Sequence, residues 1–173
     1  MNPGLHYNIP ASVYHADPCI EPSLSSGIAR MLVAKTPAHA RLEHVRLGGT
    51  PRKLTPALSL GGYVHALLSN DVTEFEVGDW PTFESKAAKE WVETVKLAGK
   101  EPVLERTADI AGPIAEAVNA NWRRGLSEQI GTTHNEVTAI WKEGESWCRA
   151  RFDRLCVDPG GFADVWDWKT TDD

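Results

Sequence analysis

The chain has 173 residues and a mass of 19.0 kDa, with 42% hydrophobic and 24% charged residues. This composition is typical of a soluble globular domain and excludes disordered, collagen-like and disulfide-rich chains. The net charge of −6 taken alone disfavours a nucleic-acid partner, but residues 1–60 carry six Lys/Arg against three Asp/Glu and so form a basic N-terminal segment.

The sequence pattern indicates neither a signal peptide, nor a membrane span, nor a cysteine framework. The start, Met1-Asn2-Pro3-Gly4, lacks the basic and then apolar order of a signal peptide, and no apolar run is long enough to span a membrane. The three cysteines are too few for a four-thiolate site and do not form a disulfide pattern. We therefore expect a cytoplasmic protein with reduced thiols and no membrane partner.

The elements change in kind along the chain. Three prolines in the first twenty residues predict an extended arm. Apolar residues at helical spacing, with capping residues before them, predict five helices that begin near Ser23, Thr36, Pro56, Phe83 and Val103. Residues 71–82 are acidic and predict an irregular segment. The basic residues 1–60 are therefore predicted to be largely helical.

From Thr133 onward the pattern alternates with a period of two. It predicts three strands joined by tight turns: Thr133 to Trp141, Trp147 to Leu155 and Phe162 to Thr170. Helices followed by an antiparallel three-stranded meander predict one α/β domain over residues 1–173.

The last two strands bring charged side chains together. In the second strand Arg149, Arg151 and Asp153 share the polar face, opposite a core face. In the third, Asp167 and Lys169 share a face. Pairing through the intervening turn would place Asp153 beside Asp167, with Lys169 next to them.

Two carboxylates and an ammonium group suit phosphodiester hydrolysis. Carboxylate oxygens hold Mg²⁺, and a cation can orient the attacking water. The alternative is that these residues have no catalytic role, since an Asp-x-Lys on an exposed strand is usually a surface ion pair. His65 lies one helical turn after Gly61; a lone histidine there is usually a core or boundary residue, but near two carboxylates it becomes a candidate metal ligand.

These residues occur in the order of a known set of motifs. Gly61-x-x-x-His65, Arg151-Phe152-Asp153 and Asp167-Trp168-Lys169-Thr170-Thr171 resemble the PD-(D/E)XK nuclease superfamily, in its RecB-type branch with RecE and exonuclease VIII. Tyr14-His15-Ala16-Asp17 and Ser23-Leu24-Ser25-Ser26 resemble the leading segment of exonuclease VIII-like phage and prophage proteins. The resemblance spans nearly the whole chain.

The resemblance implies a restriction-endonuclease-like fold and an enzyme, a Mg²⁺-dependent deoxyribonuclease that resects duplex DNA ends from 5′ to 3′ in phage recombination. It implies that His65, Asp153, Asp167 and the backbone carbonyl of Trp168 ligate Mg²⁺, for which Mn²⁺ can substitute. Lys169 would position the attacking water. Implied partners are DNA, a single-strand annealing protein and a second copy of the chain.

Other positions keep alternatives open. Glu136 matches an accessory acidic position of the family, or it pairs with Arg149 or Arg151 across the hairpin. Candidates for contacts with DNA phosphates are Arg149, Arg151, Arg52 and Lys53. For the basic N-terminal residues the alternative is that they only keep the surface soluble.

One departure affects the expected activity. The family carries a Gln-x-x-x-Tyr helix after the Asp-x-Lys strand, whereas this sequence ends four residues past Lys169. We therefore expect the C-terminal part of the family core to be missing and the chain as given to be inactive or weakly active. A catalytically silent DNA-binding or assembly subunit is the first alternative function. The second is an unrelated module in which Asp-Trp-Lys is a surface pair.

Overall fold

The computed structural model describes residues 1–49, 56–125 and 131–169. The chain divides into two compact units, which we name the sheet unit (Met1–Lys53 with Ile130–Asp167) and the helical unit (Leu54–Gln129 with Trp168–Asp173). The prediction that all 173 residues form one nuclease-like domain stays a prediction.

The described elements alternate helices and strands in an α/β chain. In order they are β1 (Gly4–His6), α1 (Ala11–His15), β2 (Ser23–Leu24), α2 (Ser26–Ala34), α3 (Pro37–Glu43), a short 3₁₀ helix (Val45–Leu47), α4 (Pro56–Ser69), β3 (Phe75–Gly78), α5 (Lys86–Leu97), β4 (Glu101–Leu104), α6 (Glu105–Gly125), β5 (Thr132–Glu143), β6 (Ser146–Val157) and β7 (Ala163–Trp166).

The sheet unit contains a five-stranded mixed sheet in the order β1-β5-β6-β2, with β7 also pairing with β6. The β1–β5, β5–β6 and β6–β7 pairs are antiparallel, and β2 runs parallel to β6. The three predicted strands are present as β5, β6 and β7 and pair antiparallel in chain order. They belong to a larger mixed sheet, so a three-stranded antiparallel meander does not describe the whole sheet. The first twenty-four residues, expected to be an extended arm and a helix start, supply two further strands.

Local sequence explains where the β5–β6 hairpin turns. Gly144 has φ +58, a conformation that glycine adopts without steric cost, and the pairing resumes directly as Glu143 faces Ser146. The ladder then runs on to Thr132 opposite Val157. This long hairpin is the framework on which the candidate site residues are placed.

The face of β6 that carries the charged residues is largely buried, although the alternation of polar and apolar residues predicts that it is exposed. Arg149 is 6% exposed and Asp153 is 7% exposed. On the face expected to be core, Ala150 and Phe152 are only half-buried. The N-terminal arm is one reason, because Tyr14 and Ser23 pack against this polar face.

The helical unit has its own apolar core. Val64 and Leu68 of α4 pack against Ala111 and Ala115 of α6, and Trp168 lies against the same cluster. The other predicted helix, α5, begins after Ser85, whose hydroxyl accepts a hydrogen bond from the amide of Ala88 at 3.1 Å.

The helical unit also contains two strands that the sequence pattern did not predict. Strands β3 and β4 form a parallel pair in which Phe75 faces Glu101 and Gly78 faces Leu104. The first of them lies inside the acidic segment expected to be irregular. Within the described ranges, no helix is both long and apolar enough to cross a lipid bilayer.

Candidate metal and nuclease site

Two carboxylates lie side by side on the central hairpin. Glu136 of β5 and Asp153 of β6 bring carboxylate oxygens within 4.8 Å of each other. The pairing runs through Asn135–Arg154 and Val137–Phe152 but omits the step between them, where Glu136 would face Asp153. This acidic pair therefore sits at the one interrupted step of an otherwise regular ladder.

The interruption has a backbone cause at Glu136. This residue has φ +54, in the left-handed region that non-glycine residues rarely adopt. Such a conformation is costly and persists only where the surrounding structure imposes it, and it is often found at functional sites. Because this φ is incompatible with an ideal strand, the regular ladder is interrupted at Glu136, and strand alternation does not set the direction of its side chain.

Arg151 of β6 holds the carboxylate of Glu136. Its Nε donates to Oε2 of Glu136, and its Nη1 donates to the backbone carbonyl of Ile9 at 2.7 Å. Both side chains of this ion pair are largely covered, at 16% exposure for Arg151 and 25% for Glu136. The alternative prediction, that Glu136 pairs with an arginine across the hairpin, is confirmed for Arg151.

Arg149 makes a different set of contacts, with the N-terminal arm. Its Nη1 lies 3.0 Å from Oδ1 of Asp17 and donates to the hydroxyl of Ser23 at 2.5 Å and to the carbonyl of Ser23 at 3.0 Å. The contact with DNA phosphate proposed for Arg149 stays a prediction, and the buried ion pair with Asp17 accounts for this side chain without it.

Asp17 is the centre of this buried polar network. Burial alone would raise the pKa of its carboxyl, but hydrogen bonds from the hydroxyl and amide of Ser23 and the charge of Arg149 outweigh burial and hold that pKa below its usual range. His44 lies 3.3 Å from the same carboxylate. The network ties residues 14–23 to β6, and the carboxylate of Asp17 stays ionised at neutral pH.

Tyr14 links the two arginines. Its ring lies below both guanidinium groups, at 5.5 Å from Arg149 and 5.8 Å from Arg151. Burial raises the pKa of the Tyr14 hydroxyl, although the two guanidinium charges act in the opposite direction. The guanidinium of Arg151 therefore lies against the aromatic face of a neutral phenol and next to Glu136.

The strand that was predicted to carry the Asp-x-Lys motif is shorter than expected. Strand β7 ends at Trp166, and Asp167, Trp168 and Lys169 follow without regular structure, with Asp167 and Lys169 exposed. The predicted strand end at Thr170 lies outside the described residues. Because the β6–β7 ladder ends where Arg154 faces Trp166, one further step in the same register would bring Asp167 opposite Asp153.

Two predicted ligands belong to the helical unit. His65 lies half-buried on α4, and its ring stands edge-on to the indole of Trp168, with centroids 6.3 Å apart. The indole of Trp168 packs on the core of the helical unit. Their predicted roles as metal ligands stay predictions.

The remaining predicted phosphate contacts, Arg52 and Lys53, lie outside the described residues. The contact predicted for Arg151 stays a prediction too, although two of its nitrogens already donate within the sheet unit.

The chemistry of the acidic pair fits Mg²⁺. This ion prefers hard oxygen ligands and is usually held by one or two carboxylates together with substrate phosphates. Two oxygens on one Mg²⁺ lie at most about 4.2 Å apart, given ligand distances of about 2.1 Å. Carboxylate oxygens of Glu136 and Asp153 lie within 4.8 Å of each other, so the pair could hold such an ion.

Sequence reasoning missed the network of Tyr14, Asp17, Ser23 and His44. Tyr14, Asp17 and Ser23 belong to the motifs that resemble the leading segment of the family, whereas His44 belongs to none of them. Nothing local in the sequence shows that these residues fold back onto β6. The positive φ of Glu136 carries no sequence signal, because glutamate is not a residue type typical of that conformation.

The comparisons with known proteins give no relative. No family model, curated protein or solved structure matches this chain.

Proposed function

We propose that this protein is a Mg²⁺-dependent DNA exonuclease with a restriction-endonuclease-like core, acting on duplex DNA ends as the exonuclease VIII-like proteins that it resembles do. The observation that carries the proposal is the carboxylate pair of Glu136 and Asp153 at the interrupted ladder step. The next residue in the register of the neighbouring strand is Asp167, the first residue of the Asp-Trp-Lys motif.

Each residue has a separate part in the proposed reaction. Asp153 and Glu136 provide hard oxygen ligands, and the resemblance adds Asp167, His65 and the carbonyl of Trp168. Mg²⁺, when bound, neutralises charge on the phosphoryl oxygens and lowers the pKa of a bound water. Lys169 donates to the attacking water and orients it toward phosphorus.

The net charge agrees with a metal-assisted mechanism. A protein with a charge of −6 repels DNA overall. Carboxylates neutralised by a divalent cation reverse the local sign at the point where the phosphate binds. DNA binding is thus expected to depend on the metal as well as on basic side chains.

The test is degradation of linear duplex DNA with Mg²⁺ by the purified full-length gene product. We expect release of acid-soluble nucleotides by the native protein, and loss of this activity in Asp153→Ala and Lys169→Ala with unchanged circular dichroism. Asp158→Ala, a substitution in the same unit away from the acidic pair, is the matched control. Activity that survives both site substitutions would refute the site.

The silent-subunit alternative predicts a different outcome in the same experiment. A descendant without catalysis binds the DNA, retains it in a gel-shift assay and releases no nucleotides at any Mg²⁺ concentration. An unrelated module would neither bind nor degrade the DNA.

A further inference from the structure

Arg151 is held on three sides within the sheet unit. Its Nε donates to the carboxylate of Glu136, its Nη1 donates to the carbonyl of Ile9 at 2.7 Å, and its guanidinium lies 5.8 Å from the ring centre of Tyr14. The side chain is 16% exposed. We propose that Arg151 is a positioning residue that fixes the carboxylate of Glu136 for metal binding beside Asp153.

This inference rests on the proposed metal site and adds a residue to it. Glu136 has φ +54, outside the strand conformation, so regular strand geometry does not set the direction of its carboxylate. A second carboxylate nearby adds charge repulsion between the two. A fixed guanidinium on Glu136 counters both effects, since it orients the carboxylate and neutralises part of its charge.

The geometry favours positioning over a contact with DNA phosphate. An arginine that binds phosphate presents its planar fork of donors outward. In Arg151 two of the three nitrogens donate to groups of its own unit, and little of the side chain reaches solvent. Two of its three donor nitrogens are therefore committed to Glu136 and Ile9.

Lysine cannot replace arginine in this arrangement. A single ammonium group keeps the charge, but it cannot donate to the carboxylate and to the Ile9 carbonyl while lying flat on the Tyr14 ring. Arg151→Lys therefore separates the positioning role from the role of charge. If charge alone mattered, the variant would retain the affinity for the metal.

The experiment is calorimetric titration of Mn²⁺ into the 173-residue protein at neutral pH without DNA. We expect Arg151→Lys to weaken Mn²⁺ binding by about 10- to 100-fold, the range seen when a residue supporting a metal ligand is replaced. The matched control is Arg154→Lys. Arg154 lies on the same strand, is half-buried, and donates through Nε to the side-chain carbonyl of Asn135 at 3.0 Å; its substitution should leave the affinity within about threefold.

Two further variants keep the test decisive. Tyr14→Leu removes the ring below the guanidinium without touching either carboxylate, and it should weaken Mn²⁺ binding in the same direction as Arg151→Lys. In a Glu136→Gln background, Arg151→Lys should have no additional effect, because the group it positions is gone. Circular dichroism and melting temperature are recorded for every variant.

The outcomes separate this inference from the proposed function. Absence of Mn²⁺ binding by the native protein overturns the metal site and this inference with it. Native binding that is unchanged in both Arg151→Lys and Tyr14→Leu overturns the positioning role alone. A lower melting temperature with unchanged Mn²⁺ affinity in Arg151→Lys shows a purely structural arginine and also overturns it.

Discussion

Removal of the Asp17 carboxylate is expected to destabilise the sheet unit strongly. Asp17→Ala leaves the guanidinium of Arg149, which is 6% exposed, without its counter-charge at 3.0 Å. It also deprives the amide and hydroxyl of Ser23 of their acceptors, at 2.9 and 2.7 Å. Both effects destabilise the folded state because the stranded groups are buried.

The magnitude follows from the burial of the pair. Removing one partner of a buried ion pair costs about 3–5 kcal/mol, since the remaining charge is uncompensated. A domain of this size has about 5–15 kcal/mol of total stability. Asp17→Ala should therefore remove a large share of the free energy of unfolding. Asp158→Ala in the same unit loses an exposed hydrogen bond to the amide of Phe162 and should cost about 1 kcal/mol.

Denaturant unfolding followed by circular dichroism measures both variants, and hydrogen exchange of the β6 amides locates the loss in the sheet unit. Adding Arg149→Met to Asp17→Ala should restore part of the lost stability, because no buried charge is then left unpaired. If Asp17→Ala costs no more than Asp158→Ala, the buried pair does not stabilise the arm on the sheet, and the reasoning is refuted.

Three further changes test other parts of the account. Because the pKa of Asp17 is lowered in the folded state, the unfolded chain takes up its proton first as the pH falls. The contribution of ionised Asp17 to the free energy of unfolding is therefore present at neutral pH and is lost as the pH falls below about 4. Melting temperatures between pH 6 and 3 should fall more steeply for the native protein than for Asp17→Asn, and equal slopes would contradict this. Ser85→Ala removes the hydroxyl that caps α5 and should cost about 0.5–2 kcal/mol in thermal unfolding, with no cost meaning that the cap is not used. Gly78→Ala would place a Cβ 2.6 Å from the ring of Trp91 and should lower the free energy of unfolding by about 1–3 kcal/mol. Denaturant unfolding followed by tryptophan fluorescence measures this change, and an unchanged free energy would show that the ring moves freely.

The helices were predictable because their signals are local. Ser25 accepts a hydrogen bond from the amide of Ile28 at the start of α2, and Thr36-Pro37 begins α3, as the sequence indicates. The β5–β6 hairpin was also predictable from its period of two and its Gly144 turn. These patterns depend on residues close together in the chain.

The sheet order was not predictable, because it depends on distant contacts. Strands β1 and β2 are three and two residues long, which is too short for a period to be read, and they pair with residues more than a hundred positions away. The same holds for the ion pair between Asp17 and Arg149. The acidic character of Glu74 and Glu76 masked β3, whose place is set by its partner β4.

For the candidate site, alternation placed Arg151 and Asp153 on one face of a strand, and the structure brings Glu136 next to both. The alternation of the sequence does not predict the break in the ladder at Glu136. That break arises from a backbone conformation that the residue type does not favour, so it depends on the surrounding packing.

The central claim is metal-dependent removal of nucleotides from DNA ends. The most direct measurement compares linear duplex DNA with the same DNA as a covalently closed circle, each incubated with the purified full-length gene product in Mg²⁺ and in a chelator. The account predicts acid-soluble nucleotides from the linear DNA with Mg²⁺ only, and none from the circle or from Asp153→Ala. Equal loss of linear and circular DNA, or nucleotide release that persists in the chelator, would contradict it.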